Sequence, residues 1–303
     1  MPDGDSSAAR SSRTRPERGD DRIRPLTKAV AVIVLPFLAA AVVLLYLFPS
    51  DTERLFAWTI QPPLTAMVLA AAYAGGIWFF IQVLRVGRWH RVRHGFPGAL
   101  LFATLLGIAT VLHWDRFHFG HISFITWATL YFVTPVLLLG ALIVNWRADR
   151  GRPDAADTTI PRLARILLAM FGAAALATGL VLFIAPTVAI GSWAWEVTPL
   201  TARVVGTVLT LPGTVHLWLL LDSRWSAFRC IFQAQLVSLV FFNLAVLLCR
   251  DQLIWSNPVT LPVVSVLALA IVVYGWLYLY CERRARRNGD SGSLSSRTDR
   301  GSV

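Results

Sequence analysis

The sequence predicts an all-α integral membrane protein of about eight transmembrane helices, arranged as two four-helix repeats of the same orientation. Three observations predict it. The chain of 303 residues is 56% hydrophobic and only 15% charged, with a mean hydropathy of +0.60, far more apolar than a soluble domain of its length. Eight stretches reach the roughly 20 mostly apolar residues that a bilayer core demands of a helix, and they are apolar all round, without the period-two polarity of a membrane barrel. Finally, one signature occurs twice, as Ala-Trp-Thr-Ile-Gln-Pro-Pro-Leu-Thr-Ala at 57–66 and Ala-Trp-Glu-Val-Thr-Pro-Leu-Thr-Ala at 194–202.

Residues 1–27 are charged and rich in Arg, Ser and Asp, which predicts a disordered tail. The first apolar stretch, about 28–48, is longer than a signal-peptide core and follows no twin arginine, so it reads as a retained anchor. The second, 63–85, opens on Gln61-Pro62-Pro63 at the signature. The third, 97–114, is the shortest, and the fourth, 122–145, completes a first repeat at 28–146. The linker 147–162 carries the breakers Arg150-Gly151-Arg152-Pro153-Asp154. The fifth stretch, 163–185, leads to the sixth, 199–221, where Thr198 caps and Pro199 fills the first turn without losing a needed hydrogen bond. The seventh, 227–249, and eighth, 258–281, end a second repeat at 163–281, and 282–303 reads as a second disordered tail.

The halves keep the same offset on both sides of the signature, a single extra proline in the first copy apart: Ala57 aligns with Ala194, and Leu64 with Leu200. Pro49 aligns with Pro186, Leu45 with Leu182 and Asp115 with Asp251. An even number of helices per repeat returns the chain to its starting side, so the repeats are parallel. Ala71 with Gly75, Ala72 with Gly76, Ala103 with Gly107 and Ala175 with Gly179 have the small-xxx-small spacing of close helix seams. Pro36, Pro135, Pro212 and Pro262 predict kinks.

Charge fixes the expected orientation. Of 28 Lys and Arg, 24 fall in the tails and the even-numbered connections; only Arg54, Arg116, Arg203 and Arg250 fall on the other side. The positive-inside rule then places both termini in the cytoplasm, with the plasma membrane as the expected location. The net charge of +11 is absorbed by this topology. It implies attraction to anionic lipid headgroups on the cytoplasmic side, through His90 and His94 among others, and needs no nucleic acid. Cys230, Cys249 and Cys281 show no disulfide spacing. Phe56, Trp58, Trp193 and Trp195 are placed by this topology in an outer aromatic belt.

Polar residues within such a chain are the candidates for function. Arg203, Thr207, Thr210 and Thr214 are spaced to share one helix face, either as the wall of a substrate path or with the threonines bonded to their own helix. Asp115 and Asp251 close the third and seventh stretches, and with Glu196 could face an outer vestibule or simply pair with Arg116 and Arg250. His113, His118 and His121 lie in one short run, as a metal set would, though at no standard spacing. His216 is a deeper candidate haem ligand, while Gln235 and Asn243 read as interhelical hydrogen-bonding groups.

No phosphate loop, zinc-protease or serine-hydrolase motif is present, so the expectation is a non-enzymatic protein without cofactor. The leading expectation is small-solute transport or binding. The alternatives are a membrane-embedded metal or haem enzyme and a scaffold for a protein partner.

Overall fold

The computed structural model describes residues 21–146, 148 and 157–298. Among these there is no strand, and the long helices fall where the eight apolar stretches lie. They are α1 (Pro25–Leu47), α3 (Pro63–Val86), α4 (Gly95–Leu112), α5 (Ile122–Asn145), α6 (Arg162–Ile184), α8 (Pro199–Trp218), α9 (Trp225–Leu248) and α10 (Thr260–Thr298), with one-turn helices α2 (Thr52–Leu55) and α7 (Pro186–Ala189) between them. Seven of the eight are long and apolar enough to cross a membrane. The chain is therefore a multi-pass all-α membrane protein. The eighth, α8, dilutes its apolar character with Arg203, His216 and four threonines in 20 residues.

The interior is built on α3 and α8. The apolar window of α3 is 78% buried, whereas those of α1, α5, α9 and α10 are 17–28% buried, as expected of a central helix wrapped by lipid-facing ones. The N-terminal and C-terminal parts interlock: α3 packs on α1 and α9, and α8 on α6 and α4. Apolar side chains gain nothing by leaving lipid for another helix, so close backbone approach holds such a bundle together. Gly179 and Gly206 meet face to face, a Cβ built on either lying 2.5 Å from the other's carbonyl oxygen. Gly75 sits against Ala234 O and Ser238, and Gly107 against Tyr131 O. The small-residue seams thus serve as packing surfaces.

Backbone contacts recur along the chain. Isolated bridges join Arg22 to Arg88 and Thr159 to Arg224, then Trp58 to Phe117 and Trp195 to Leu253. Ile23 N–H donates to Gly87 O (3.0 Å) and Ile160 N–H to Ser223 O (2.9 Å); His118 N–H donates to Ala57 O and Ile254 N–H to Ala194 O, both 2.9 Å. Asp21 accepts from His90 N–H (3.0 Å) and Asp157 from Ser226 N–H (3.0 Å). The bridges and backbone bonds of the first half are offset from their counterparts as the two copies of the signature are offset from each other, while the two aspartates differ from that register by one residue.

Several expectations need correction. The signature aromatics do not form a belt: Trp58 is 1% and Trp195 4% exposed, and Phe56 is buried with them. Their rings pack on one another and on neighbouring helices, because the segments that carry them fold back over the bundle end. Trp58 lies against Phe56, Phe117 and Trp127. Trp195 Nε1 donates to Thr65 Oγ1 at 2.9 Å, joining the second signature to the first. His90 and His94 are also buried rather than turned to headgroups. Helix α10 runs on to Thr298, beyond the expected end at 281, since Glu, Ala and Arg favour helix and no proline stops it. Its Glu282 pairs with Arg229 at 2.7 Å. Residues 21–24 bind back to 87–90 instead of belonging to a tail. Residues 1–20 and the linker run Arg150–Asp154 lie outside the described residues.

Candidate functional site

Thr198 caps α8 by accepting from Thr201 N–H, with the Thr201 hydroxyl bonded back to Thr198 N–H. That box fixes the first turn and sets Arg203 one turn inside the helix. Helix α4 lies across α8 with Gly98 against Leu211 and Val215, and the residue that caps its end, His113, comes over the same turn. Arg203 Nη1 lies 2.6 Å from His113 Nε2. A guanidinium can only donate, so Nε2 accepts and the imidazole is neutral with its proton on Nδ1. Burial and the guanidinium together hold His113 below the ordinary histidine value, with Asp115 pulling the other way.

Arg203 is short of acceptors. Its Nε is buried without a hydrogen-bond partner, and among the described residues no carboxylate pairs with it. Asp115 pairs with the adjacent Arg116 at 3.3 Å, both exposed. Asp251 and Glu196 are exposed too. The cation also sits near the positive end of the α8 dipole, which disfavours it. A half-buried charge in this setting attracts an anion.

The site has a counterpart. Continued past Leu64 and Leu200, the alignment of the halves pairs Arg203 with Met67 and His113 with Cys249, and the sulfur atoms of Met67 and Cys249 are 3.5 Å apart. There burial, then Asp251, pushes the thiol up, and the pair stays apolar. The same pairing of a helix start with a helix end is ionic on one side of the molecule and sulfur-lined on the other.

The threonine stripe is closed on itself. Thr207 donates to Arg203 O (2.8 Å), Thr210 to Thr207 O (2.7 Å) and Thr214 to Thr210 O (2.7 Å), so these hydroxyls are committed to their own helix. The histidine run is not brought together either. His118 donates from Nδ1 to Phe56 O (3.1 Å) and its Nε2 meets Thr59 Oγ1 (3.2 Å), while His121 Nδ1 accepts from Ser123 N–H (3.2 Å) and caps α5. Among the described residues no group of three His, Cys, Asp or Glu could hold a metal ion. His216 is fully buried, hydrogen-bonded through Nε2 to Tyr274 OH, with Nδ1 unpartnered. Asn243 does bridge helices, donating to Leu267 O of α10 at 3.1 Å.

Two clusters escape the sequence. Gln233, rather than Gln235, gathers Trp78 Nε1 (3.2 Å), Gln82 Nε2 (3.0 Å) and Tyr278 OH (2.8 Å) between α3, α9 and α10. Choosing between two glutamines so close in sequence requires knowing which helix face meets α3. At the Arg-rich end, Asp222 accepts from His94 Nε2 (2.9 Å) and from Arg224 Nη2 (2.7 Å), all three buried, and His94 stacks on Phe228 at 4.8 Å. The only local signal for it is a lone carboxylate in a basic region.

No protein-family model, curated protein or solved structure matches this chain. The fold therefore defines a class, a polytopic α-helical membrane protein, and the functional reading rests on the site itself.

Proposed function

We propose that the chain is a small-solute binding or transport protein of the plasma membrane, with Arg203 and His113 as its contact for an anionic group. In this reading α1–α5 and α6–α10 are duplicated parallel repeats, α8 is an eighth crossing shielded by its neighbours, and both termini are cytoplasmic. The recurrence of bridges and hydrogen bonds at the signature's spacing supports the duplication. The concentration of arginine at one end of the helices supports the orientation.

The observation that carries the solute reading is Arg203. Charge within or at the edge of a membrane is costly to keep, and here it lacks a carboxylate, retains an unused buried Nε–H and faces a neutral histidine. A carboxylate or phosphate-like solute would accept from the guanidinium and cancel the charge. Of the three acidic residues, Asp115 is near enough to His113 to act on its charge, while Asp251 and Glu196 are exposed elsewhere on the surface; Thr207, Thr210 and Thr214 continue the Arg203 face along α8.

The test is a screen of carboxylates, phosphate and sulfate against the purified full chain, by thermal shift in detergent and by flux in proteoliposomes. A shift in the wild type that vanishes in Arg203→Met supports the reading. An absent shift and absent flux across the panel would overturn it. An optical spectrum of the same preparation tests the haem or metal alternative, whose sign would be a Soret band or stoichiometric metal. The closed threonine stripe favours the scaffold alternative, whose sign would be a stoichiometric partner after gentle solubilisation.

A further inference from the structure

A cleft of about 180 Å³ opens between α1, α3 and α5, with neither Arg203 nor His113 in its lining. A water needs only ~10–15 Å³ by the same measure, so the space suits a larger guest. Phe37 of α1, 37% exposed, and Ile122 of α5, 71% exposed, flank it on the apolar outer surface of the bundle, so its mouth faces the lipid region. Phe56 and Trp127 line its walls.

At its inner wall are two tyrosines, Tyr73 of α3 and Tyr131 of α5, 2% and 4% exposed. Their hydroxyl oxygens are 2.6 Å apart. Two hydroxyls carry two hydrogens, and one bond between them uses one. Neither oxygen has another partner among the described residues, so the pair keeps one O–H to donate, and leaving it unmet in an apolar interior is costly. The alignment of the halves pairs Tyr73 with Leu209 and Tyr131 with Leu267, so the other half of the chain has no such donor. There α6 and α8 are also drawn together by Gly179 and Gly206.

We infer that this cleft binds a lipid-soluble ring bearing a hydrogen-bond acceptor, the chemistry of a prenylated quinone, with a ring carbonyl on the Tyr73–Tyr131 pair and the aliphatic tail leaving between α1 and α5. The aromatic walls suit a flat ring, and the spare O–H requires an oxygen acceptor, which a simple acyl tail lacks at its buried end. A charged headgroup is excluded by the absence of any charged residue from the lining. The inference is independent of the solute reading at Arg203.

The test uses the full chain in detergent with decylubiquinone as probe and decylbenzene as the control lacking carbonyls. Decylubiquinone should raise the unfolding temperature saturably and decylbenzene should not. Tyr73→Phe with Tyr131→Phe keeps both rings and should weaken apparent affinity about tenfold, the scale of a lost hydrogen bond of about 1.4 kcal/mol. Thr126→Phe, which fills the cleft and keeps both hydroxyls, should abolish the shift, and Arg203→Met should leave it intact. Equal shifts from both compounds, no shift in the wild type, or undiminished binding in the double phenylalanine or cleft-filled variant would overturn the assignment.

Discussion

Arg203 Nη1 and His113 Nε2 are 2.6 Å apart, and the residues at the matching positions of the other half, Met67 and Cys249, touch through sulfur at 3.5 Å. Positions that the proposed alignment of the halves makes equivalent therefore hold two chemistries. Both pairs join a residue one turn inside an inner helix to the residue that caps the end of a helix from the other part of the chain. The Met67–Cys249 pair packs without any charge.

That relationship yields a first prediction. The double variant Arg203→Met with His113→Cys should fold as well as the parent, with an unfolding temperature in detergent within a few degrees, because Met and Cys already fill the same position across the molecule. Its response to added anions should be gone. A double variant that fails to fold would mean the ionic pair is structural rather than a binding group.

The bond from Trp195 to Thr65 supports a second. Thr65→Val keeps shape but removes the acceptor of a buried indole N–H, which costs about 1–3 kcal/mol. Thr201→Val, at the corresponding position of the other signature, instead weakens the capping box of α8 by about 1 kcal/mol. Chemical or thermal unfolding of the two variants should rank Thr65→Val as the more damaging; the reverse order would show that the bond between signatures contributes little.

A third concerns acid. Burial holds His94 below the ordinary value of 6.5 despite its bond to Asp222. For Asp222, burial alone would raise the carboxyl, but the bonds from His94 and Arg224 outweigh it and hold it well below the usual carboxylate range. For both groups the unfolded chain takes up protons more readily than the folded one, so stability is complete above the ordinary value and falls as pH drops below it. His94, together with His113, accounts for a decline starting near pH 6.5, Asp222 for a second below about pH 4. His94→Gln, which can still donate to Asp222, should shrink the first decline in a pH series of unfolding temperatures to the part His113 contributes; an unchanged profile would exclude His94 as a source.

The helices were legible in the sequence because lipid demands a continuous apolar run for each crossing, and the run lengths set the boundaries of α3, α5 and α6 within a residue or two. The string that occurs twice was visible in the sequence, but its tryptophans were misread as a belt. Tryptophan occurs both at interfaces and in buried caps, and only the fold shows that Trp58 and Trp195 are covered. Arg203 stood out because charge is rare in such runs. Its partner His113 lies 90 residues away, and no periodicity within one helix reports which helix end will cross another. The Tyr73–Tyr131 pair was missed for the same reason: it depends on the placement of α3 against α5.

The seam between α6 and α8 gives the last prediction. Without a hydrophobic effect between helices in lipid, their association depends on contact distance, and Gly179 and Gly206 bring backbone against backbone on this seam. A methyl group at either position would sit 2.5 Å from a backbone carbonyl oxygen, which cannot yield as a flexible side chain could, so the helices must separate along the seam that holds α8 in place. Gly206→Ala should therefore cost about 1–3 kcal/mol, the range of overpacked cores, and should disturb Arg203 on the same helix. Gly98→Ala is the control, since its new methyl group meets its nearest neighbours at 3.7 Å, an ordinary contact, and alanine also favours helix over glycine. Unfolding of the two variants in the same detergent should separate them clearly, with Gly98→Ala neutral or stabilising. Equal losses would mean that α6 and α8 can shift freely against each other and that the glycine contact does not position α8.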